Sequence, residues 1–393
     1  MRFDSGVVVH AGDVSAYPPV AEWRDTARFL ESAGFTGVWC AEHHFFWDGW
    51  LAPTPTNPVL FGAYIAAQTT TLRLGQCGVC LPDWHPLRVA EDVATLDHMS
   101  DGRVDFGAMR GLNNRVSGNF NADADRRDQK RLQELFWESL EIIQMAWSGE
   151  PFRYDGQFYK VPFAGWKDGS LPPEELDPRF YSRDGELTAL QVLPTPLQGP
   201  DLPCWVMADT ASSTAKAAAG GLGVMSWAQS FGATRAALGA YREAAPEGAS
   251  ERFGTMRPVY VARTMEEAER VMRPSINLEM EHVTGGVSAT WRGRQAFLGP
   301  DEELTEADQS DDWFDFLNRH EWCFVGTPEH VVQRLQRYEQ ELDLRHLVLY
   351  WALPLLSYEQ IMGSMKLFAD KVMPQFTHEP AIPAVQVADD AGP

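Results

Sequence analysis

Short apolar segments alternate with longer amphipathic segments along most of the chain. The apolar segments are short enough for buried strands, and in the amphipathic segments apolar residues recur with the period of a helix that has one buried face. The pattern predicts strands at residues 4–10, 37–41, 72–81, 103–109, 203–208, 223–227, 255–262 and 345–350. It predicts helices at residues 19–32, 58–68, 86–99, 128–147, 233–245, 265–277, 328–342 and 357–372, and another that ends at residue 219.

Strands that alternate with helices predict an α/β fold with a parallel sheet, and eight such units close naturally into a (β/α)8 TIM barrel. The alternative is an open doubly wound sheet, but no G-x-G-x-x-G fingerprint follows the first strand. We therefore expect a single barrel domain over residues 1–376, with insertions at about 151–200 and 283–326. The tail at 377–393 is rich in Pro, Ala and Asp without periodicity, so we expect it to be disordered.

Two connections have features of their own. Residues 112–126 are rich in Asn, Asp and Arg and are predicted to form a long polar loop. Residues 151–161 alternate around Asp155-Gly156, which predicts a β-hairpin.

Composition and charge exclude several classes of function. The formal net charge of −22 disfavours nucleic acid and anionic membranes as partners, because both are polyanions. No apolar run approaches the ~20 residues that span a bilayer, and the first residues do not resemble a signal peptide. The 5 cysteines are scattered and odd in number, which is untypical of a disulfide framework. These features are typical of a reduced cytoplasmic protein.

The stretch VWCAEHHFF, residues 38–46, places titratable side chains directly after a buried strand, where barrels carry their chemistry. We predict that His43 is a base with a pKa near neutrality. Glu42 either orients His43 or binds backbone N–H groups at the rim. Adjacent side chains at a strand end point to opposite sides, which disfavours a metal ion shared by His43 and His44. A purely structural role stays open for either histidine.

A second polar cluster follows the fifth predicted strand. Residues 209–214 (DTASST) place hydroxyl and carboxyl groups at a helix start, where they cap the helix and, with its unpaired N–H groups, can hold an anion. Arg110 follows the fourth strand and is a local cation of the kind that binds phosphate. We predict a phosphate site formed by both segments, with capping alone and an ordinary surface charge as the alternatives.

The CGVC segment at residues 77–80 lies within the third predicted strand. Its two cysteines would point to opposite faces, so we predict small buried residues rather than a disulfide or a zinc site. Gly78 within a strand indicates a kink or the close approach of a ligand. Aromatic side chains concentrated after strands favour an apolar pocket for a flat ligand, although each alone is more often part of a core; they are Phe45, Phe46, Trp47, Trp50, Trp84, Trp227 and Trp351.

Several motifs in fixed order resemble the bacterial luciferase-like, flavin-dependent monooxygenases, and within that family they are most similar to the luciferase α subunits. The resemblance covers nearly the whole chain and is weakest at 163–190 and 283–320. The motifs are GFTGVWCAEHHF, LPDWHPLRVAEDVATLDHMSDGRVDFGAMRG, PCWVMADTASSTAKAAAGGL, SW at 226–227, FVGTPEHVVQRL and SMKLFADKVMP.

The resemblance implies a (β/α)8 barrel that takes reduced FMN as co-substrate from a separate NAD(P)H-dependent flavin reductase. It implies reaction with O2 through a flavin C4a-hydroperoxide and oxygenation of an apolar substrate, such as an aldehyde, a ketone or a polyketide-like aromatic. It also implies a homodimer through the second and third helices, and a mobile loop at 283–312 that closes over the site. A resident metal is not expected, because no second set of His or Asp residues at ligand spacing accompanies the histidine pair.

Site residues are implied by the same matching. The catalytic positions are His43, His44 and Glu42, with His43 on the family's catalytic histidine. The FMN positions are Cys77, Gly78, Met109, Arg110, Asp209, Thr210, Ala211, Ser212, Ser213 and Trp227, with family members often having a non-prolyl cis peptide at Cys77-Gly78. The substrate pocket is expected at Phe45, Trp47, Trp84 and His85. Met109 stands where luciferase has a reactive cysteine, which leaves light emission and the identity of the substrate open.

Two other functions fit the same fold. One is hydride transfer with a deazaflavin and without O2, and the other is a non-catalytic partner subunit resembling luciferase β. The β-like subunit is altered at the histidine pair and lacks the phosphate arginine, whereas this chain has His43, His44 and Arg110. The catalytic interpretation is therefore favoured.

Overall fold

A computed structural model describes residues 1–7, 19–45, 55–111, 114–227, 229–284, 291–309 and 312–376. The strands in these residues are β1 (Arg2–Gly6), β2 (Gly37–Cys40), β3 (Arg73–Gln76), β4 (Val79–Cys80), β5 (Val104–Met109), β6 (Tyr154–Asp155), β7 (Lys160–Val161), β8 (Cys204–Met207), β9 (Gly223–Ser226), β10 (Phe253–Val261), β11 (Phe324–Gly326) and β12 (His346–Tyr350). The α-helices are α1 (Val20–Ser32), α2 (Pro58–Ala66), α3 (Pro86–Met99), α4 (Asn114–Phe120), α5 (Gln129–Trp147), α6 (Ala211–Ala219), α7 (Phe231–Ala244), α8 (Met265–Thr284), α9 (Trp313–Arg319), α10 (Pro328–Leu342) and α11 (Tyr358–Lys371).

The main sheet closes on itself as a parallel barrel. Its order is β1, β2, β3, β5, β8, β9, β10 and β12, and β12 pairs back to β1. Helices follow most strands and surround the barrel, so the predicted (β/α)8 fold is confirmed. β6 and β7 form the predicted hairpin outside the barrel. None of the described helices combines the length and apolar character that crossing a bilayer requires.

The third predicted strand is not continuous, which corrects the prediction of one strand at 72–81. β3 ends at Gln76 and β4 begins at Val79, and the intervening Cys77–Gly78 peptide bond is cis. A β-carbon on Gly78 would lie 2.8 Å from the carbonyl oxygen of Gly107 on β5. Glycine is required here because the two backbones approach more closely than a side chain permits.

Two regions predicted to be irregular contain regular elements. Part of the polar loop at 112–126 is the helix α4, and the region at 283–326 contains α9 and the three-residue strand β11. β11 pairs with the far end of β10, where Val259 lies opposite Phe324. Elements this short carry too few positions for a hydrophobic period to be visible in the sequence. Residues 285–290, 310–311 and the tail at 377–393 lie outside the described residues.

Charged side chains fill the amino-terminal end of the barrel. Asp4 on β1 accepts a hydrogen bond from Arg2 at 2.9 Å and lies 2.8 Å from Nε2 of His346 on β12. Asp105 on β5 accepts from Arg73 on β3 and from Arg2, each at 2.8 Å. Burial opposes ionisation of both carboxyl groups, but Arg2 and His346 lower the pKa of Asp4 to about 2, and Arg73 and Arg2 hold that of Asp105 below its usual range. The network joins four strands, β1, β3, β5 and β12.

Two tryptophans form the next layer inside the barrel. The indole N–H of Trp39 on β2 donates to Asp4 at 2.7 Å, and its ring meets that of Trp205 on β8 edge-on, with 5.5 Å between centroids. A β-carbon on Gly75 would lie 2.1 Å from the Trp39 ring, so only glycine leaves room for it. The rings of Trp39 and Trp205 thus fill the barrel interior next to the charged network.

Replacing Asp105 with Asn should strongly destabilise the protein. The change leaves the buried guanidinium groups of Arg73 and Arg2 with one fewer anion, and we expect the free energy of unfolding to fall by about 3–5 kcal/mol in urea denaturation at neutral pH. Asp155→Asn is the matched control, because Asp155 pairs with Lys160 while 62% exposed and should have no measurable effect. Equal effects of the two variants would contradict the structural role of the network.

Candidate active site

The predicted site residues gather at the carboxyl-terminal end of the barrel. Parallel strands end on the same side, so side chains that follow different strands meet there. Glu42 to His44 follow β2, Cys80 ends β4, Arg110 follows β5, Asp209 follows β8, Trp227 follows β9, and Tyr350 ends β12.

Glu42 is the hydrogen-bonding centre of this rim. It is 2% exposed, and its Oε2 accepts the backbone N–H of Cys80 at 2.9 Å. Its Oε1 accepts the indole N–H of Trp84 at 2.8 Å and lies 2.6 Å from Nε2 of His44. Of the two roles predicted for Glu42, backbone binding is confirmed. Its histidine partner is His44 rather than His43.

His43 is a neutral imidazole at neutral pH. Burial, with a smaller effect of the neighbouring His44, lowers its pKa to about 4. The prediction of a pKa near neutrality is therefore wrong, because burial disfavours the charged imidazolium form. A neutral imidazole can accept a proton. The adjacent histidines thus differ in environment, one desolvated and one held by a carboxylate.

Apolar and sulfur-containing side chains lie between this pair and β5. Cys77 is buried, and burial raises the pKa of its thiol to about 12, so it is no nucleophile at neutral pH. Met109 is 7% exposed at the end of β5, opposite Cys80 in register. The cis peptide at Cys77–Gly78 is present, as the resemblance implies.

Positive charge and a helix start meet on the neighbouring part of the rim. Arg110 is exposed and close enough to Arg126 to lower the pKa of that residue, after the larger effect of burial. Burial raises the pKa of Asp209, while the Trp227 N–H and Arg110 partly oppose the rise. Arg110 therefore lies near both residues, and two neighbouring guanidinium groups form a local cationic site in an acidic chain.

The helix α6 begins beside that cationic site. Thr210 is its N-cap, and Thr210 and Ser213 form a reciprocal capping box, with 2.8 Å between their hydroxyl oxygens. The Ser212 hydroxyl lies 3.2 Å from that of Thr210. Capping is thus part of the role of this segment. The exposed hydroxyls and the N-terminal N–H groups of α6 also suit an anion.

Trp227 connects Asp209, next to the start of α6, to the aromatic ring of Tyr350. Its backbone N–H donates to Asp209 at 2.7 Å, and its ring contacts that of Tyr350 edge-on, with 5.2 Å between centroids. Burial raises the pKa of Tyr350 well above its usual value. Tyr350 was not among the predicted site residues, although its position at the end of the last strand was a usable signal.

The residues predicted for a substrate pocket separate into two groups. Phe45 is 48% exposed and stacks on Phe120 of α4, with 5.4 Å between centroids, while the His44 ring lies 4.8 Å from that of Phe120. Trp84 instead supports Glu42. His85 caps α3 by accepting the Leu87 N–H, and its ring lies against Tyr159.

Phe120 lies in the region predicted to be a loop, so sequence reasoning missed it. Phe46, Trp47 and Trp50 lie outside the described residues.

Glu42→Gln should destabilise the fold locally. Glu42 accepts the Cys80 N–H on one oxygen and the Trp84 N–H on the other, and a glutamine offers only one oxygen, so one buried N–H loses its acceptor. We expect the free energy of unfolding to fall by about 1–3 kcal/mol, measured by urea denaturation. Glu91→Gln on α3 removes a charge from a 40% exposed side chain and serves as control. A Glu42 variant as stable as that control would contradict the role of Glu42 as a buried acceptor.

Known families and solved structures include proteins similar to this chain. A model of the family described as luciferase-like monooxygenase matches residues 1–344. The alkanal monooxygenase alpha chain of Photorhabdus luminescens is 29% identical over 249 residues, which are 63% of this chain and 59% of that protein. The oxygenase component of the flavin-dependent trigonelline monooxygenase of Acinetobacter baylyi is 24% identical over 363 residues, 91% of this chain and 89% of that protein.

A solved structure supports the fold. The oxygenating constituent of 3,6-diketocamphane monooxygenase from Pseudomonas putida, a type II Baeyer-Villiger monooxygenase in complex with FMN, superimposes with a TM-score of 0.69 at 19% identity. The match covers 96% of this chain and 100% of that chain. The match to the luciferase relative above, in contrast, spans under two thirds of that protein's length.

Proposed function

The chain belongs to the luciferase-like monooxygenase family, and from this premise we propose that it is a flavin-dependent monooxygenase. Its co-substrates are reduced FMN and O2, and its product is an oxygenated apolar compound. The observation that carries the proposal is the arrangement of one rim, where a neutral histidine lies across from a cationic helix start. The finer proposal is that the flavin supplies a C4a-hydroperoxide as the oxygenating species.

The phosphate of FMN is assigned to the site formed by Arg110 and the start of α6. A guanidinium group and the free N–H groups of a helix N-terminus both stabilise a phosphate dianion. The exposed hydroxyls of Thr210 and Ser212 add donors. Arg126 lies close enough to contribute its charge. In a chain with a net charge of −22, this local cationic site is what makes binding of an anion favourable.

The flavin ring is assigned to the apolar space beside Cys77, Met109 and Trp227. These side chains offer a thiol that stays protonated at neutral pH, a thioether and an aromatic face, which together form an apolar surface for a flat ring. Excluding water from such a site protects a reactive intermediate from hydrolytic decay. Cys77 and Met109 are buried, which supports a dry site.

Proton handling is assigned to the two histidines in different roles. His43 is neutral at neutral pH and accepts a proton or returns it, which is the work of a general base. His44 is held by Glu42 and supports the position of its neighbour.

Partners and substrate follow from the surfaces around the site. No nicotinamide fingerprint is present in the sequence, so a separate flavin reductase is proposed as the source of reduced FMN. A homodimer is proposed through α2 and α3, where Leu60 is 69% and Met99 is 60% exposed. The stacked rings of Phe45 and Phe120 next to His44 favour an apolar substrate, such as an aldehyde, a ketone or a polyketide-like aromatic.

Arg110→Ala should weaken the binding of FMN about tenfold to a hundredfold, because a charge-assisted contact to the phosphate is lost. Titration of the flavin fluorescence with protein measures the dissociation constant. Riboflavin, which lacks the phosphate, is the control ligand and should bind the variant and the wild type equally. Equal loss for both ligands would show that Arg110 supports the fold and not the phosphate.

His43→Ala should lower oxygenation about 10²–10⁴-fold while FMN still binds, because the proton-accepting group is absent. The assay supplies reduced FMN and 18O2 with a long-chain aldehyde, a cyclic ketone and a polycyclic phenol, and detects labelled product by mass spectrometry. His98→Ala is the control, since that exposed ring only bonds the Thr195 carbonyl.

Two outcomes contradict the proposal, the first in this assay and the second in a parallel assay that supplies a reduced deazaflavin. Undiminished product from His43→Ala removes the role assigned to that residue. No O2 uptake by the wild type, together with hydride transfer from a reduced deazaflavin, replaces the monooxygenase with the deazaflavin-dependent alternative.

A further inference from the structure

Asp83 has a buried carboxyl group near His44. The proposed mechanism assigns no role to Asp83. It ends a single turn of 3-10 helix, Leu81–Asp83, between β4 and α3. Both of its carboxylate oxygens are buried, and neither accepts a well-formed hydrogen bond from the described part of the chain. A buried carboxylate without a strong donor is costly, so the group needs a partner or a proton.

The side chains around Asp83 come from several elements. A carboxylate oxygen of Asp83, one of Glu42 and the sulfur of Cys80 all lie within 4.8 Å of one another. The Ser117 hydroxyl from α4 is close and favours the ionised form of Asp83. His44 and Arg126 are the positive or protonatable groups that face it, and Glu42 is the like charge.

A metal ion does not fit this cluster well. Both oxygens of Glu42 are already directed at N–H groups of Cys80 and Trp84, whose positive ends would oppose a cation. Burial raises the pKa of the Cys80 thiol well above its ordinary value, so no thiolate is available at neutral pH. A proton is therefore the more suitable occupant of the space between the two carboxyl groups.

We propose that Asp83 is a positioning residue whose ionisation controls the protonation of His44 through Glu42. When Asp83 is protonated, only Glu42 of these two carboxyl groups carries a negative charge near His44. When Asp83 releases its proton to solvent, two negative charges lie together and the protonated form of His44 relieves their repulsion. The inference rests on the proposed function for the meaning of His44 in catalysis, but the coupling itself exists with or without a flavin.

The environment of Asp83 places this switch near neutral pH. Burial, and then the charge of Glu42, raises its pKa from 3.8 to about 6, against the opposing effects of Ser117, His44 and Arg126. Between about pH 4 and pH 6, the folded state thus keeps a proton on Asp83 that the unfolded state has released. Stability contributed by this proton is present below pH 4 and is lost as the pH rises through 6.

The first test follows the His44 ring by NMR in flavin-free protein labelled with 15N at histidine, with His44→Gln to identify its signal. In Asp83→Asn, the midpoint of the His44 titration should lie at a lower pH than in the wild type, at about tenfold higher proton concentration. The reason is that the negative charge of Asp83, which stabilises protonated His44, is absent. Glu91→Gln, which removes an exposed charge from α3, should leave the titration unmoved. An unchanged or raised midpoint in Asp83→Asn overturns the proposal.

The second test compares stabilities in urea at pH 4 and pH 7.5. Asp83→Asn should be more stable than the wild type by up to about a hundredfold in the folding equilibrium at pH 7.5, with the difference disappearing at pH 4. The absence of this pH dependence also overturns the proposal, since it means that Asp83 does not ionise near neutrality.

Ser117→Ala provides an independent variant should Asp83→Asn fail to fold. Removing the hydroxyl should raise the pH at which Asp83 ionises, and the His44 titration should respond to that change. A His44 titration identical to wild type in this variant counts against the coupling. None of these experiments uses flavin or O2. A wild type that is inactive with reduced FMN would contradict the proposed function, but it would not change the expected outcomes for Asp83 and His44.

Discussion

The barrel depends on the ion network at its amino-terminal end. Arg2, Asp4, Arg73, Asp105 and His346 come from four strands that are far apart in sequence, and their charges find partners only when the sheet is closed. A buried charge without its partner is strongly unfavourable, so the network penalises any register in which one strand is displaced. Trp39 and Trp205 donate to the same carboxylates and transmit this constraint into the barrel interior.

The same constraint fixes the positions of the strand ends at the carboxyl-terminal end of the barrel. The strand ends that carry Glu42 and Cys80 are fixed relative to one another, so a carboxylate from one can accept the backbone N–H of the other at 2.9 Å. Glu42 then has little freedom, and the two histidines after it experience different surroundings although they are adjacent in sequence. The difference between them is thus a property of the closed barrel and not of the dipeptide.

The sequence predicted the repeating elements well because their signals are local. The helices at 86–99 and 328–342 have the predicted bounds, since each starts with a proline at its first position. The break between β3 and β4 was not predictable in the same way, because it depends on the distance to Gly107 on another strand.

The same reason accounts for the errors at the candidate site. The pairing of Glu42 with His44, the low pKa of His43 and the burial of Asp83 all depend on neighbours from elements distant in sequence. Phe120 was missed because α4 has only seven residues and follows a segment whose composition is typical of a loop. The capped start of α6 was predictable since a cluster of hydroxyls before a helix is visible in the sequence itself.

The charge distribution bears on how the proposed co-substrate is held. A dianionic phosphate is repelled at long range by a chain of net charge −22, and it gains only from the groups within a Debye length of the rim, about 8 Å at physiological ionic strength. Arg110, Arg126 and the start of α6 are such groups. Affinity then arises from short-range contacts rather than from steering.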